Sequence, residues 1–188
     1  MSSASGQPTV DNKTSVIDKT ATMIIENRPH AVVDAKHHPP GQPSPTNGPD
    51  VIIALGAYDT IKGLGGNDSL VGGGAGDVLF GGPGADHFIF ETLKASPPRH
   101  PDTIMDFNHR QGDKIDLYAL RDFAPGSEPL AFIGSQTFAQ FHHKHHDVFG
   151  MVRYAGGELQ VNFDHHLTNE FAILMHGTPA LHAGDFIL

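Results

Sequence analysis

Cysteine and tryptophan are both missing from the 188 residues. Without cysteine there are no disulfides and no thiolate metal sites. Without tryptophan, and with 38% hydrophobic residues, the apolar core is modest. Apolar runs never exceed a few residues, so no transmembrane helix is expected. The stretch Met1 to Gln7 is small and polar, with no charged segment leading into an apolar one, so no Sec-type signal is expected. Basic residues are scarce, 12 against 21 acidic ones. No basic stripe with interleaved aromatics occurs, so nucleic acid is not an expected partner. None of the 14 histidines lies in a His-Glu-x-x-His motif, and no nucleophile–base pair stands out. Catalysis is therefore not expected.

Glycine (22) and proline (14) are abundant, which favours turns and short strands over helices. Their placement is periodic. Aspartate recurs every nine residues at Asp50, Asp59, Asp68, Asp77 and Asp86. Two residues after each stands an apolar side chain: Ile52, Ile61, Leu70, Leu79 and Phe88. Two periods in phase imply a stack of short turns, with aspartates lining one place and apolar residues another. The fullest copy is Gly81-Gly82-Pro83-Gly84-Ala85-Asp86-His87-Phe88-Ile89. The copy from Gly72 keeps Gly73, Gly74 and Gly76 but has Ala75 at the third fixed glycine. The copy from Gly63 has Leu64 at the second, and keeps Gly65, Gly66 and Asn67.

Calcium explains these residue types. It takes six to eight oxygens, more than one short loop can supply, so loops must share an ion. Glycines let the backbone turn its carbonyls inward. If two nonapeptides make one coil, loops two repeats apart lie on the same edge. Asp59 then approaches Asp77, and Asp68 approaches both Asp50 and Asp86. Carboxylates so close repel unless a divalent ion lies between them. The acidic excess suits such an ion. In a small domain without disulfides, metal serves as the staple.

Three regions are predicted. Residues 1–44 read as a disordered polar, proline-rich tail, although Thr22-Met23-Ile24-Ile25 has the look of a strand. Residues 45–90 hold the repeats. Residues 91–188 supply a β-rich cap. Within the cap, Asp113 to Leu120 starts strand-like, and Leu130-Ala131-Phe132-Ile133 is an apolar run. Met151 to Tyr154 and Glu158 to Phe163 read as a hairpin about Ala155-Gly156-Gly157, and Phe171 to Met175 as a further strand.

The repeat pattern, followed by Asp102-Thr103-Ile104-Met105-Asp106-Phe107 and Gly112-Asp113-Lys114-Ile115-Asp116-Leu117, resembles the C-terminal region of serralysin-type secreted metalloproteases of the RTX group. Phe132-Ile133-Gly134-Ser135, the Arg153-Tyr154 hairpin and the terminal Asp185-Phe186-Ile187-Leu188 are similar too. The resemblance covers roughly residues 50–188 and leaves out the protease domain. It implies an all-β fold, a right-handed parallel β-roll followed by a β-rich cap. It implies two or three Ca2+ ions held by loop carbonyls and aspartates: Asp50, Asp59, Gly63, Gly65, Asn67, Asp68, Gly72, Gly74, Gly76, Asp77, Gly81, Gly82, Gly84 and Asp86, with Asp106 and Asp113 closing the last site. It further implies export by a type I (ABC exporter) machinery to the extracellular space, with Asp185, Phe186, Ile187 and Leu188 as uncleaved signal. The family often has an Asp/Asn/Gly-rich loop before its penultimate strand. Here that stretch is Asp164-His165-His166-Leu167-Thr168-Asn169-Glu170, a departure from the pattern.

One other cluster carries metal-binding chemistry: His142-His143-Lys144-His145-His146-Asp147. His142, His143, His145 and His146 could hold zinc, nickel or copper. The plainer reading is a solvated loop that gains charge below neutral pH. The expected function is a secreted, non-catalytic calcium-binding protein that folds on extracellular Ca2+. The alternatives are an accessory part of a serralysin-type protease, an extracellular interaction or adhesion module, and transition-metal capture by the histidine segment.

Overall fold

The computed structural model describes residues 22–26, 32–33, 43–74, 76–145, 150–164 and 168–188. Nine short strands come first: β1 (Thr22–Glu26), β2 (Val32–Val33), β3 (Asp50–Ala54), β4 (Thr60–Lys62), β5 (Ser69–Val71), β6 (Val78–Phe80), β7 (His87–Ile89), β8 (Asp102–Ile104) and β9 (Lys114–Asp116). Five more follow: β10 (Ala131–Phe132), β11 (Met151–Ala155), β12 (Glu158–Asn162), β13 (Phe171–Met175) and β14 (Phe186–Ile187). From β1 to β9 the chain passes alternately between two sheets. One sheet has the order β1-β3-β5-β7-β9-β14, the other β10-β11-β12-β13-β8-β6-β4-β2. Neighbouring strands in the wound part are all parallel. This is a parallel β-roll.

The nine-residue period explains the winding. A three-residue strand followed by a six-residue loop carries the chain from one sheet to the other. Within β4, β5 and β6 the middle residue is buried and the flanking two are half-exposed, the ordinary alternation of a strand. Ile52, Ile61, Leu70, Leu79 and Phe88 are fully buried, as the sequence period predicts. Ile104 and Ile115 extend the same columns and are also fully buried. Each such side chain contributes on the order of 2 kcal/mol of apolar transfer.

Both sheets run past Phe90 without interruption. β8 pairs with β6 and β9 with β7. The cap then joins the same sheets: β13 pairs with β8 in parallel, and β12 and β11 follow it antiparallel. The β11–β12 hairpin turns at Gly156 (φ 62°) and Gly157 (φ 85°), the left-handed pair that a tight two-residue hairpin requires. Leu159, Val161 and Phe163 face the core, as their alternation implies. Phe90 meets Phe171 edge-on with ring centroids 5.4 Å apart, tying the roll to the cap.

Within residues 1–44, β1 falls where Thr22–Ile25 has the look of a strand, and β2 follows it; residues 1–21, 27–31 and 34–42 lie outside the described residues. Two expectations in the cap need correction, and the N-terminal strands need an explanation. The pairing of β1 with β3 follows from the cost of leaving an unpaired row of N–H and C=O groups on β3. The strand at Asp113–Leu120 holds only for Lys114–Asp116. Asp116 Oδ1 then accepts from Tyr118 N (3.0 Å), and the chain turns into a 3-10 helix over Tyr118–Phe123. The histidine segment begins not in a loop but on a short helix, α1 (Phe138–His142). Thr137 and Gln140 cap α1 reciprocally, with bonds of 3.2 and 2.9 Å.

Candidate metal centre

The aspartates form two ladders, one along each edge of the roll. On the first edge, the Asp50 N–H donates to Asp68 Oδ1 (2.9 Å), Asp68 N–H to Asp86 Oδ1 (2.9 Å), and Asp86 N–H to Asp113 Oδ1 (3.0 Å). On the second, Asp59 N–H donates to Asp77 Oδ1 (2.8 Å) and Asp77 N–H to Asp102 Oδ1 (2.8 Å). The expected approaches of Asp59 to Asp77, and of Asp68 to Asp50 and Asp86, are thus present. One oxygen each of Asp68, Asp77, Asp86, Asp102 and Asp113 thus holds the coil before it.

The second oxygens are the informative ones. Asp68 Oδ2, Asp77 Oδ2, Asp86 Oδ2 and Asp102 Oδ2 are buried and accept no hydrogen bond. Such groups are costly unless something pairs with them. Beside three of them the chain carries glycine. A Cβ on Gly72 would stand 2.7 Å from Asp77 Oδ2. A Cβ on Gly63 would collide with Asp68 Oδ2 and lie 2.6 Å from the Gly81 carbonyl oxygen. Gly81 stands in the same relation to Asp86 Oδ2. In each cradle the unpaired oxygen therefore lies against the bare backbone of the first repeat position. At Gly63 a carbonyl oxygen from the next coil lies against the same backbone.

Electrostatics agree. Burial pushes the Asp68, Asp77 and Asp86 carboxyls up from 3.8 to about 7, and Asp102 to about 8. Backbone hydrogen bonds oppose the rise. Repulsion from ladder neighbours adds to it: Asp50 acts on Asp68, Asp59 on Asp77, Asp113 on Asp86 and Asp77 on Asp102. Burial likewise raises Asp113. Among the described residues no three His, Asp or Glu side chains form a ready-made metal group. The carboxylates meet two at a time, and loop carbonyls must complete any shell. An all-oxygen set of this kind fits a hard divalent cation such as calcium and does not suit a soft metal.

The remaining expected residues fall as follows. Gly82 and Gly84 lie against the carbonyls of Leu64 and Gly66, where no Cβ fits. Gly74 N donates to Gly56 O (2.5 Å), and Gly76 packs on the Tyr58 ring. Gly65 lies 3.5 Å or more from its neighbours by the same measure. Asn67 Oδ1 accepts from Ala85 N (3.0 Å) and so ties two loops together. Asp106 accepts from Gly81 N (2.9 Å) and Gly82 N (3.0 Å), and Asp113 Oδ2 from Asn108 N (2.8 Å). Both therefore clamp the last repeat loop to the post-repeat loop. Phe186 and Ile187 form β14 on β9, and Asp185 is buried with its carboxylate accepting from His182 N (2.7 Å). Leu188 packs against the core.

His142 closes α1, His143 caps it, and His145 stacks on Phe141 (4.5 Å). His146, His165 and His166 lie outside the described residues.

Sequence reading missed Asp102 and Ser96. Asp102 carries the repeat signal, an aspartate with apolar Ile104 two residues on, but the segment 91–101 breaks the nine-residue count. Ser96 ends the second ladder: its fully buried hydroxyl accepts from Asp102 N (2.7 Å) and donates to Ala172 O. Nothing in the sequence distinguishes this serine.

Family comparison fits this architecture. Residues 47–188 match the family described as "Peptidase M10 serralysin C terminal". The chain belongs to that family, whose description denotes the C-terminal rather than the protease part of serralysin-like proteins. A solved relative in fold is the AlgE6R3 subunit of the Azotobacter vinelandii mannuronan C5-epimerase, at 25% identity and TM-score 0.51 over 87% of this chain and 78% of that one. The AlgE6R2 subunit of the same enzyme aligns at 23% identity and TM-score 0.49, over 89% of this chain and 91% of that one. No curated protein sequence matches significantly. Among the described residues no helix is long and apolar enough to cross a membrane.

Proposed function

We propose that this chain is a secreted, non-catalytic calcium-binding protein whose roll folds when Ca2+ becomes available outside the cell. The observation that carries the reading is the row of buried aspartate oxygens without hydrogen-bond partners, three of them set against loop glycines. Asp68, Asp77 and Asp86, with carbonyls of the loops that start at Gly63, Gly72 and Gly81, would hold the ions. This gives three cradles, in keeping with two or three ions. A bound cation would supply the charge that crowded carboxylates lack.

Scarcity of calcium inside a cell leaves carboxylate repulsion unopposed, and the glycine-rich loops then gain entropy by opening. That state suits passage through the channel of a type I exporter. At a dissociation constant of about 0.1 mM and roughly millimolar calcium, each site adds on the order of 1.4 kcal/mol. Three such increments are large against the stability of a small domain.

Circular dichroism tests the folding claim. The β signal should appear on adding calcium and vanish in chelator; equal folding in both would overturn it. Export is tested by deleting Asp185–Leu188 in a host that carries a type I exporter, where intact chain should reach the medium and truncated chain should not. The family match supports a second reading, an accessory part of a serralysin-type protease. Peptide hydrolysis stimulated in a protease by this chain would favour it over the first.

A further inference from the structure

A roll has two ends, and each end leaves two sheets with an open edge. At the end that comes first in the chain, those edges belong to β3 and β4. Both are covered. β1 lies parallel to β3 with Thr22 opposite Asp50 and Glu26 opposite Ala54. β2 lies parallel to β4 with Val32 opposite Thr60. β1 lies in one sheet and β2 in the other, so the pair continues the alternation between sheets. All of β3 except Ile53 is buried, including Asp50, the first rung of its ladder.

This pair differs from the coils beneath it. It holds no glycine and no aspartate between Thr22 and Val33, so it offers neither a cradle nor a ladder rung. It also lies outside the family match, which starts at residue 47. The repeats directly below it, with Pro45, Thr46, Ala54, Leu55 and Ala57 at fixed glycine positions, are the poorest in calcium features. That end of the roll therefore needs another source of order.

We infer that the β3–β4 edge is a strand-acceptor surface whose occupants are the chain's own strands Thr22–Glu26 and Val32–Val33. This metal-free pair covers β3 and β4, takes over as the outer edge of each sheet, and lets the first two repeats fold without ions of their own. The recognition is main-chain hydrogen bonding along an extended apolar segment, with no side-chain chemistry required.

Because the chain lacks cysteine, engineered pairs report cleanly. In the full-length protein, Ile25→Cys with Ile53→Cys places two thiols in register. Their backbones should lie about 4.8 Å apart, within disulfide reach. Ile25→Cys with Val71→Cys sets them one strand further, at roughly twice that distance, beyond reach. Mild oxidation of folded protein should join the first pair within one chain and leave the second open. Oxidation should also lower the calcium concentration at half-folding by about tenfold, since the bond restrains the unfolded chain. Equal reaction of both pairs, no reaction of the first, or an unchanged midpoint overturns the proposal. A disulfide between chains would overturn the assignment of the occupant to the same chain. Hydrogen exchange on the unaltered protein gives an independent check. Those amides of Thr22–Glu26 that face β3 should be protected, and solvent-like exchange throughout the strand overturns the proposal. Crosslinking and hydrogen exchange report on the folded roll whether or not calcium is what folds it, whereas the midpoint shift rests on the proposed calcium-dependent folding.

Discussion

Leu64 sits at φ 82°, a backbone conformation that side chains avoid, whereas Gly73 and Gly82 hold the equivalent place in the next two repeats. The left-handed conformation costs a non-glycine residue roughly 1–2 kcal/mol, and glycine returns part of that as unfolded-state entropy. Leu64→Gly should therefore stabilise the calcium-bound fold by about 0.5–1 kcal/mol, read as a rise in the thermal midpoint. Gly84 is the converse case. Its φ of 148° and the Gly66 carbonyl against it leave no room for a methyl group. Gly84→Ala should cost at least about 3 kcal/mol and raise the calcium needed for folding. The ladder aspartates also set a pH dependence. Asp68, Asp77, Asp86 and Asp102 titrate near 7 to 8 in the fold but at 3.8 in the open chain. Between those limits the folded chain binds more protons, so their contribution is complete below about pH 4 and is lost as pH rises through 7 to 8. In chelator, lowering the pH from 8 to 5 should restore part of the β signal that is lost at neutral pH. With calcium present the trend should reverse, because protons and cation compete for the same oxygens. A chelated protein that gains stability with rising pH would refute the burial of these carboxyls.

Among the elements, the second ladder depends on how it stops. Ser96→Ala would leave the Asp102 N–H buried without an acceptor, at a cost of about 1–3 kcal/mol measured by thermal unfolding in calcium. Exposed Ser135→Ala makes the control. The contrast between β3–β7 and the rest shows what a sequence reveals. Strands β3 to β7 were legible because each repeats the same Asp-x-apolar spacing and the same burial. The β11–β12 hairpin was legible through Gly156-Gly157 between alternating apolar residues. β8 belongs to the same winding but was hidden by the segment 91–101, which destroys the count without changing the structure. β1 was visible only as an apolar run, and β2 not at all, since pairing with an edge is a tertiary event that asks little of local sequence. Ser96 and the clamp of Asp106 on Gly81 and Gly82 depend on contacts across long stretches of chain, and no spacing rule encodes those.

For the molecule as a whole, the two sheets extend through the repeats into the cap. β8 lies between β6 and β13, so the roll and the cap share one sheet. Calcium removal should therefore unfold both in one transition. Tyr154, packed against the core from the cap, provides a near-ultraviolet probe in a chain that has no tryptophan. Its signal and the far-ultraviolet β signal should fall at the same calcium concentration, and a cap that persists in chelator would separate the two units.

The alternation of strands also constrains how such a gene could lengthen or shorten. Ladder partners are 18 residues apart, two repeats rather than one. Excising a single nonapeptide would transpose every downstream strand to the opposite wall and present the terminal half of the protein with the wrong neighbour. Excising two in tandem would restore every partnership and merely shorten the column, so viable length variants should differ by even numbers of repeats.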